Sequence, residues 1–383
     1  MCDILKHTTM KTGDKTMKKI HRTLSLFTVA AMCAALLCSC GAVSDSSQTD
    51  SSSKAATTTT ADTTADTTTA GEESSTASAT SAPDSSVSDS SSAVTDDTKT
   101  NGITPAMWKV TSPEGSTMVM LGSFHALKDE CYPLPEAVTN AYNNADILAV
   151  ECDITSTSED GEYMKNLMKQ MLYNDNTKLS QHISEEAYSA LQTYLGYWGM
   201  DISALEVYRP WAVSSTLDTL LIQDSDFDTE KGLDNFLLTT AHADGKEIYE
   251  VESVDFQMNL LINFSDDIYD LMFRSYKGET KESQKQALED LYTAWKSGDI
   301  ETFLEEDNEE ELAGYTEEDK KIAEDYNNQM LYDRNKNMAK AAEDLMSQGK
   351  NVFYVVGAAH YAGEGGIIDL LEKDGYTAER VQY

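Results

Sequence analysis

The sequence predicts an α/β domain: a central, mostly parallel β-sheet with flanking helices and a helical insertion, preceded by a disordered amino-terminal tether. Three observations predict it. The composition changes abruptly near residue 104, from Ser, Thr, Ala and Asp to a chain rich in aliphatic and aromatic residues. Apolar runs of strand length recur along that second part, and two of them lead into the same Gly-x-x-His string. Between the runs lie long segments with helical spacing of their apolar residues.

Residues 1–39 read as a signal peptide, with the start of translation placed at Met17. Met17-Lys18-Lys19 with His21 and Arg22 forms a positive segment, and Leu24 to Leu37 is an uncharged stretch too short to span a bilayer. It ends in Leu37-Cys38-Ser39-Cys40-Gly41, which resembles a bacterial lipobox. Cys40 is then the expected mature terminus and the site of lipidation, since several acyl chains anchor stably where one is marginal. That places the protein on the extracytoplasmic face of the cell membrane, held by lipid.

Residues 40–103 form the lipidated cysteine and a Ser/Thr/Asp-rich linker. Ser44 to about Thr100 has no aromatic residue, so it cannot offset the entropy of folding and reads as an extended spacer. The folded domain is residues 104–383, long enough to bury a core without disulfides or structural metal. Acidic residues number 66 against 29 basic, a net charge of -37. With no basic cluster in the mature part, nucleic acid is excluded as a partner, and attachment to anionic lipid by charge is disfavoured. Of six cysteines only Cys131 and Cys152 remain in the domain; a disulfide and two independent thiols, with Cys152 buried near a strand end, both fit the sequence.

The domain opens with a β-hairpin: Trp108-Lys109-Val110 and Thr117 to Leu121 flank the turn signal Ser112-Pro113-Glu114-Gly115. Gly122-Ser123-Phe124-His125 follows at once. Near the other end, Asn351 to Val356 is a continuous apolar run of the kind buried on both faces, followed by Gly357-Ala358-Ala359-His360. A glycine ending a strand allows a tight turn, and a polar residue three positions on can enter the crevice at the carboxyl end of a parallel sheet. A third strand, Asp146 to Val150, delivers Glu151 at its end. Two histidines and a carboxylate suit a divalent metal, so His125, His360 and Glu151 are the expected ligands.

Helical spacing around Glu162–Leu172, Ser184–Tyr197, Ala212–Leu221 and Ser283–Trp295 suggests an insertion over the sheet, with Met164, Met168, Met171 and Tyr194 as packed faces. A further helical stretch runs from Ile322 to Met346, and the acidic run Glu301 to Glu311 reads as a solvated face or loop.

Leu121-Gly122-Ser123-Phe124-His125, Leu134-Pro135 and Ala145-Asp146 leading to Glu151 together resemble the amino-terminal signature of the TraB/GumN family. Gly232-Leu233-Asp234, Gly245-Lys246-Glu247 with Val251-Glu252 and Gln257, Asp333-Arg334-Asn335 with Met338, and Val356 to His360 with Gly363 and Gly366 are similar to its remaining motifs, in order. The resemblance covers Met107 to Val381 and extends to a superfamily with Tiki metalloproteases, erythromycin-esterase-like enzymes and ChaN-like haem-binding lipoproteins. It adds Glu252, at another strand end, and Arg334, on a helix, as site residues.

Two functions follow from the resemblance. The first is a metal-dependent hydrolase acting on peptides, with Glu252 as general base and Arg334 as a clamp for an oxyanion or substrate carboxylate. The second is a non-catalytic lipoprotein in which the histidines hold haem or another small ligand. The small, Gly-rich turns and acidic neighbours of both histidines favour a hard-metal or water site. The absence of an H-E-x-x-H helix leaves open a metal-free hydrolase with His125 as base.

Overall fold

The structure is a computed structural model that describes residues 102–155, 160–304 and 315–383. The signal peptide, Cys40, the tether and most of the acidic run lie outside the described residues.

β1 (Met107–Thr111) and β2 (Thr117–Ser123) form the expected hairpin, antiparallel from Met107 opposite Leu121 to Thr111 opposite Thr117. Gly115 closes its turn at φ +92, a conformation other residues avoid. With β3 (Ile147–Val150), β4 (Glu247–Glu250), β5 (Val352–Gly357) and β6 (Thr377–Arg380), the strands form one sheet in the order β4-β3-β5-β2-β1-β6. β4, β3, β5 and β2 run parallel, and only β1 opposes its neighbours. Their sequences say which strands are central. Every residue of β3 and β5 is buried, as the unbroken ILAV and VFYVVG runs require, whereas β4 and β6 at the edges alternate with charge and stay largely exposed.

The helices in chain order are α1 (Glu136–Asn144), α2 (Gly161–Gln170), α3 (Glu185–Gly196), α4 (Pro210–Gln223), α5 (Leu233–Asp244) and α6 (Val254–Asn263). They continue with α7 (Asp266–Ser275), α8 (Lys281–Ser297), α9 (Glu317–Asn327), α10 (Asp333–Met346) and α11 (Ile367–Lys373). Two apolar clusters divide them. The sheet's cluster takes α1, α5, α8, α10 and α11, through residues such as Tyr142, Leu237, Trp295, Met338 and Leu371. A second cluster joins α2, α3, most of α4, α6, α7 and α9, through residues such as Met164, Tyr194, Trp211, Leu261, Phe273 and Tyr326.

The second cluster is the helical insertion, with one correction. The segment Ser283–Trp295 does not belong to it: Trp295 is buried in the sheet's cluster, and its indole donates to the Gly122 carbonyl at 2.9 Å. Helical periodicity marks an apolar face without saying which core that face meets. The stretch expected from Ile322 to Met346 is likewise not one regular helix, because a π-turn at Asn328–Tyr332 separates α9 from α10. Among the described residues, no helix is long and apolar enough to cross a membrane.

Neither cysteine is bridged. Cys131 lies 3.1 Å from the Tyr292 hydroxyl, and Cys152 donates to Gln257 Oε1 at 3.5 Å, both buried as free thiols.

Candidate functional site

Parallel register brings the sequence-predicted residues together. Ser123 stands opposite Gly357 and Val150 opposite Val355, so β2 and β5 end together with β3 two residues short of them, all three carboxyl ends on one edge of the sheet. Glu151 leaves β3 at that edge, and its backbone extends the ladder by accepting the Glu252 N–H at 2.8 Å. His125 follows β2 on a loop, and His360 follows β5 on a 3-10 turn, Ala358–Tyr361.

The two glycines of the repeated motif act by letting groups approach, not by turning the chain. Neither takes a left-handed φ. A Cβ on Gly122 would stand 3.0 Å from the Ala358 backbone. A Cβ on Gly357 would stand 3.1 Å from Glu151 Oε1, 3.5 Å from His360 Cδ2 and 3.6 Å from His125 Nε2. The missing side chain of Gly357 therefore opens the space that both histidines and the carboxylate border.

Each imidazole is anchored at Nδ1 and turns Nε2 toward that space. His125 Nδ1 donates to Asp234 Oδ2 at 2.7 Å, from the first turn of α5. Gly232, just before that turn, is indispensable to the approach, since a Cβ there would meet the His125 carbonyl oxygen at 2.1 Å. His360 Nδ1 donates to Asn335 Oδ1 at 2.6 Å, and the Asn335 amide is itself fixed by donating to the Gly365 carbonyl at 2.9 Å. His360 Nε2 stands 3.7 Å from Glu151 Oε1.

The surroundings push the two histidines apart in charge. Burial alone would lower the pKa of His125, but the charge and hydrogen bond of Asp234, with Glu151 beyond, raise it to about 9. Because 28 % of its side chain is exposed, solvent screens part of that effect. His360 is pushed down to about 3, by burial first and then by the Arg334 guanidinium, and is neutral.

Glu151 is fixed on both oxygens. Oε1 accepts the Gly357 N–H at 2.7 Å, while Oε2 accepts from Arg334 Nη2 at 2.7 Å and Gln257 Nε2 at 2.9 Å. Burial opposes its ionisation, yet the Arg334 guanidinium first, with His125 and the Gly357 N–H, holds its pKa well below the usual carboxylate range. Arg334 is buried and not free for a substrate carboxylate: Nε and Nη2 grip Glu252 at 2.8 Å each, Nη2 also meets Glu151, and Nη1 donates to the Met330 carbonyl at 3.1 Å. Glu252 does not line the recess; both its oxygens are taken by Arg334, and Oε2 by Gln257 as well.

The recess that these groups line has a volume of about 80 Å³, and its opposite wall is apolar: Ile154, Leu260, Leu261, Met330 and Leu331. Among the described residues, no three His, Cys, Asp or Glu side chains stand close enough together to form a ready metal centre. Asp234, Asn335 and Gln257 were not anticipated as site residues. Each lies in a motif quoted above, but its task, anchoring another side chain, depends on elements remote in sequence. His182 and His242 are elsewhere, paired with Asp266 and Asp153.

Fold and site define an α/β protein whose parallel sheet carries a pair of Gly-x-x-His loops at its carboxyl edge, braced by a buried Glu-Arg-Glu cluster. The chain matches the TraB/PrgY/gumN family over residues 106–380 and belongs to it. It is 26 % identical over 157 residues to the uncharacterized protein YbaP of Escherichia coli K12, covering 41 % of this chain and 56 % of that one. It is 25 % identical over 293 residues to a metalloprotease TIKI homolog of Nematostella vectensis, covering 65 % and 61 % respectively. A third relative, metalloprotease TIKI2 of Danio rerio, is 25 % identical over 164 residues, 38 % of this chain and 32 % of that protein. The chain thus spans between a third and three-fifths of the length of these relatives. No solved structure matches it.

Proposed function

We propose that this domain is a metal-dependent hydrolase that cleaves peptide bonds. The observation that carries the reading is the pair of Nε2 atoms facing one recess, each with its Nδ1 anchored from a different helix. That is the arrangement by which proteins orient imidazole ligands and set their tautomer. The space left by Gly357 is bordered by His125, His360 and the ionised Glu151, groups whose chemistry suits a divalent ion. The metalloprotease names of two relatives agree with it.

A divalent ion there would polarise the scissile carbonyl and lower the pKa of water. The chain's own residues do the rest. Asp234 holds the Nδ1 proton of His125, which leaves the Nε2 lone pair for an ion in the recess. His360, held neutral, offers a lone pair at Nε2, and Glu151 Oε1 offers negative charge beside it. Glu252 is better placed to position Arg334 than to act as the base. Arg334 in turn holds Glu151 in place. The apolar wall suits a substrate with an aliphatic or aromatic side chain beside the cleaved bond. The recess of about 80 Å³, bordered by small and polar groups, suits an ion with a water or a carbonyl group.

In the same proposal, the signal peptide and Cys40 read from the sequence would hold this activity on the extracytoplasmic face of a membrane, at the end of the Ser/Thr/Asp-rich tether. Metal analysis of the purified protein, with an untargeted peptide-cleavage screen, tests the proposal. Bound stoichiometric metal and cleavage beside apolar residues are expected; a protein that neither retains metal nor cleaves any peptide overturns it.

A further inference from the structure

Ser123 is the last residue of β2, 2 % exposed, and its hydroxyl is buried without a hydrogen-bond partner. Among the described residues two other buried side-chain polar atoms share that condition, on Tyr173 and Trp198, and neither residue lines the recess. Ser123 does, in register with Gly357, whose absent Cβ opens the space between His125 and Glu151. A buried hydroxyl with no partner is unfavourable, and such groups in folded proteins point to a missing ligand or water.

The other side-chain donors of the recess are almost all committed. Gln257 Nε2 donates to Glu151 and Glu252. Four of the five guanidinium N–H groups of Arg334 donate to Glu151, Glu252 or the Met330 carbonyl. The Cys152 thiol donates to Gln257, and both Nδ1 atoms are engaged. A carbonyl oxygen gaining negative charge in this recess thus finds the Ser123 hydroxyl as a side-chain donor with no other partner.

We propose that Ser123 Oγ donates a hydrogen bond to the substrate's carbonyl oxygen, one that strengthens as the oxygen becomes anionic. This rests on the hydrolase reading above. Donors aimed at developing charge act mainly on kcat, because they bind the transition state better than the substrate. The serine stays unsatisfied in the ligand-free protein because its partner arrives with the substrate.

The test compares wild-type full chain with Ser123→Ala and Ser123→Thr. One readout is kcat and KM on a peptide that the wild type cleaves. Another is the melting temperature alone and with a peptide aldehyde of the same sequence, whose hydrate presents a tetrahedral oxygen. The expected result for Ser123→Ala is a kcat 10- to 100-fold lower with KM within about twofold. Its melting temperature without aldehyde should be unchanged or higher, and the aldehyde-induced rise should be lost. Ser123→Thr, which keeps the hydroxyl, should restore most of both. Full kcat and a full aldehyde response in Ser123→Ala overturn this proposal alone. A lowered melting temperature without aldehyde also overturns it, by showing that the hydroxyl serves the fold. A wild type that neither cleaves peptides nor responds to the aldehyde overturns it together with the hydrolase reading.

Discussion

His125 Nδ1 lies 2.7 Å from Asp234 Oδ2, a contact between a loop at the end of β2 and the first turn of α5, 109 residues away in sequence. The pair fixes which imidazole nitrogen faces the recess. Asp234→Asn preserves shape but removes the charge, so His125 loses both the hold on its proton and its preferred tautomer. kcat is expected to fall about 10²- to 10⁴-fold, with little change in melting temperature. Steady-state kinetics on a peptide substrate, beside a thermal melt, check this; unchanged kcat would remove Asp234 from the site.

Gly357→Ala places a methyl group where the ligand is expected, 3.1 Å from Glu151 Oε1 and 3.6 Å from His125 Nε2. Its φ is not left-handed, so alanine can adopt the backbone without strain. The variant should fold with a melting temperature within a few degrees of wild type while losing metal affinity about 100-fold or more. Isothermal titration with a divalent ion measures it.

His125→Ala and His360→Ala should each abolish most metal binding and activity, and the double variant should be scarcely worse than either one, as for residues acting as a unit. His182→Ala and His242→Ala are the controls, since their partners are Asp266 and Asp153, outside the recess. Losses that add across His125 and His360, or equal losses at the controls, would divide the two Gly-x-x-His loops into separate structural features.

Asp218, on α4, is buried in the helical insertion, and burial raises its pKa to about 8. An unfolded carboxyl titrates near 3.9. The folded form therefore holds the proton more tightly, so the stability it contributes is full below about pH 4 and is lost as pH rises toward 8. Asp218→Asn cannot ionise. It should stabilise the protein at pH 8 by roughly 2–4 kcal/mol and by little at pH 4, flattening the curve between. Urea denaturation at a series of pH values reads this directly.

Anchoring should depend on Cys40. Cells supplied with a labelled fatty-acid precursor should incorporate it into the wild-type chain and not into Cys40→Ala, which should appear in the soluble fraction. A variant that still carries label and sediments with membranes refutes the lipoprotein reading.

β1, β2, β3 and β5 were legible because a period of two, or an unbroken apolar run, is a local property of the chain, whereas the short, charged edge strand β6 was not. VFYVVG and ILAV announce central parallel strands on their own, and the turn Ser112 to Gly115 announces a hairpin. Once two of those runs were known to end in Gly-x-x-His and a third in Glu151, parallel register made their convergence a matter of geometry. The destination of an apolar helical face was not legible: α8 has the same kind of stripe as its neighbours but packs on the sheet, because only the assembled fold says which surface lies opposite.

What the sequence offered by itself is a set of candidate groups, His125, His360, Glu151, Glu252 and Arg334, each at its own strand end or on its own helix. What the tertiary structure decided is how those groups are charged and held. That Arg334 is buried and spent on Glu151 and Glu252, that both imidazoles are anchored at Nδ1, and that Asp234, Asn335 and Gln257 brace these groups are all consequences of burial and of partners distant in sequence. A residue's type is local, but its pKa and its free hydrogen-bonding capacity are set by whatever the fold brings within a few ångströms of it.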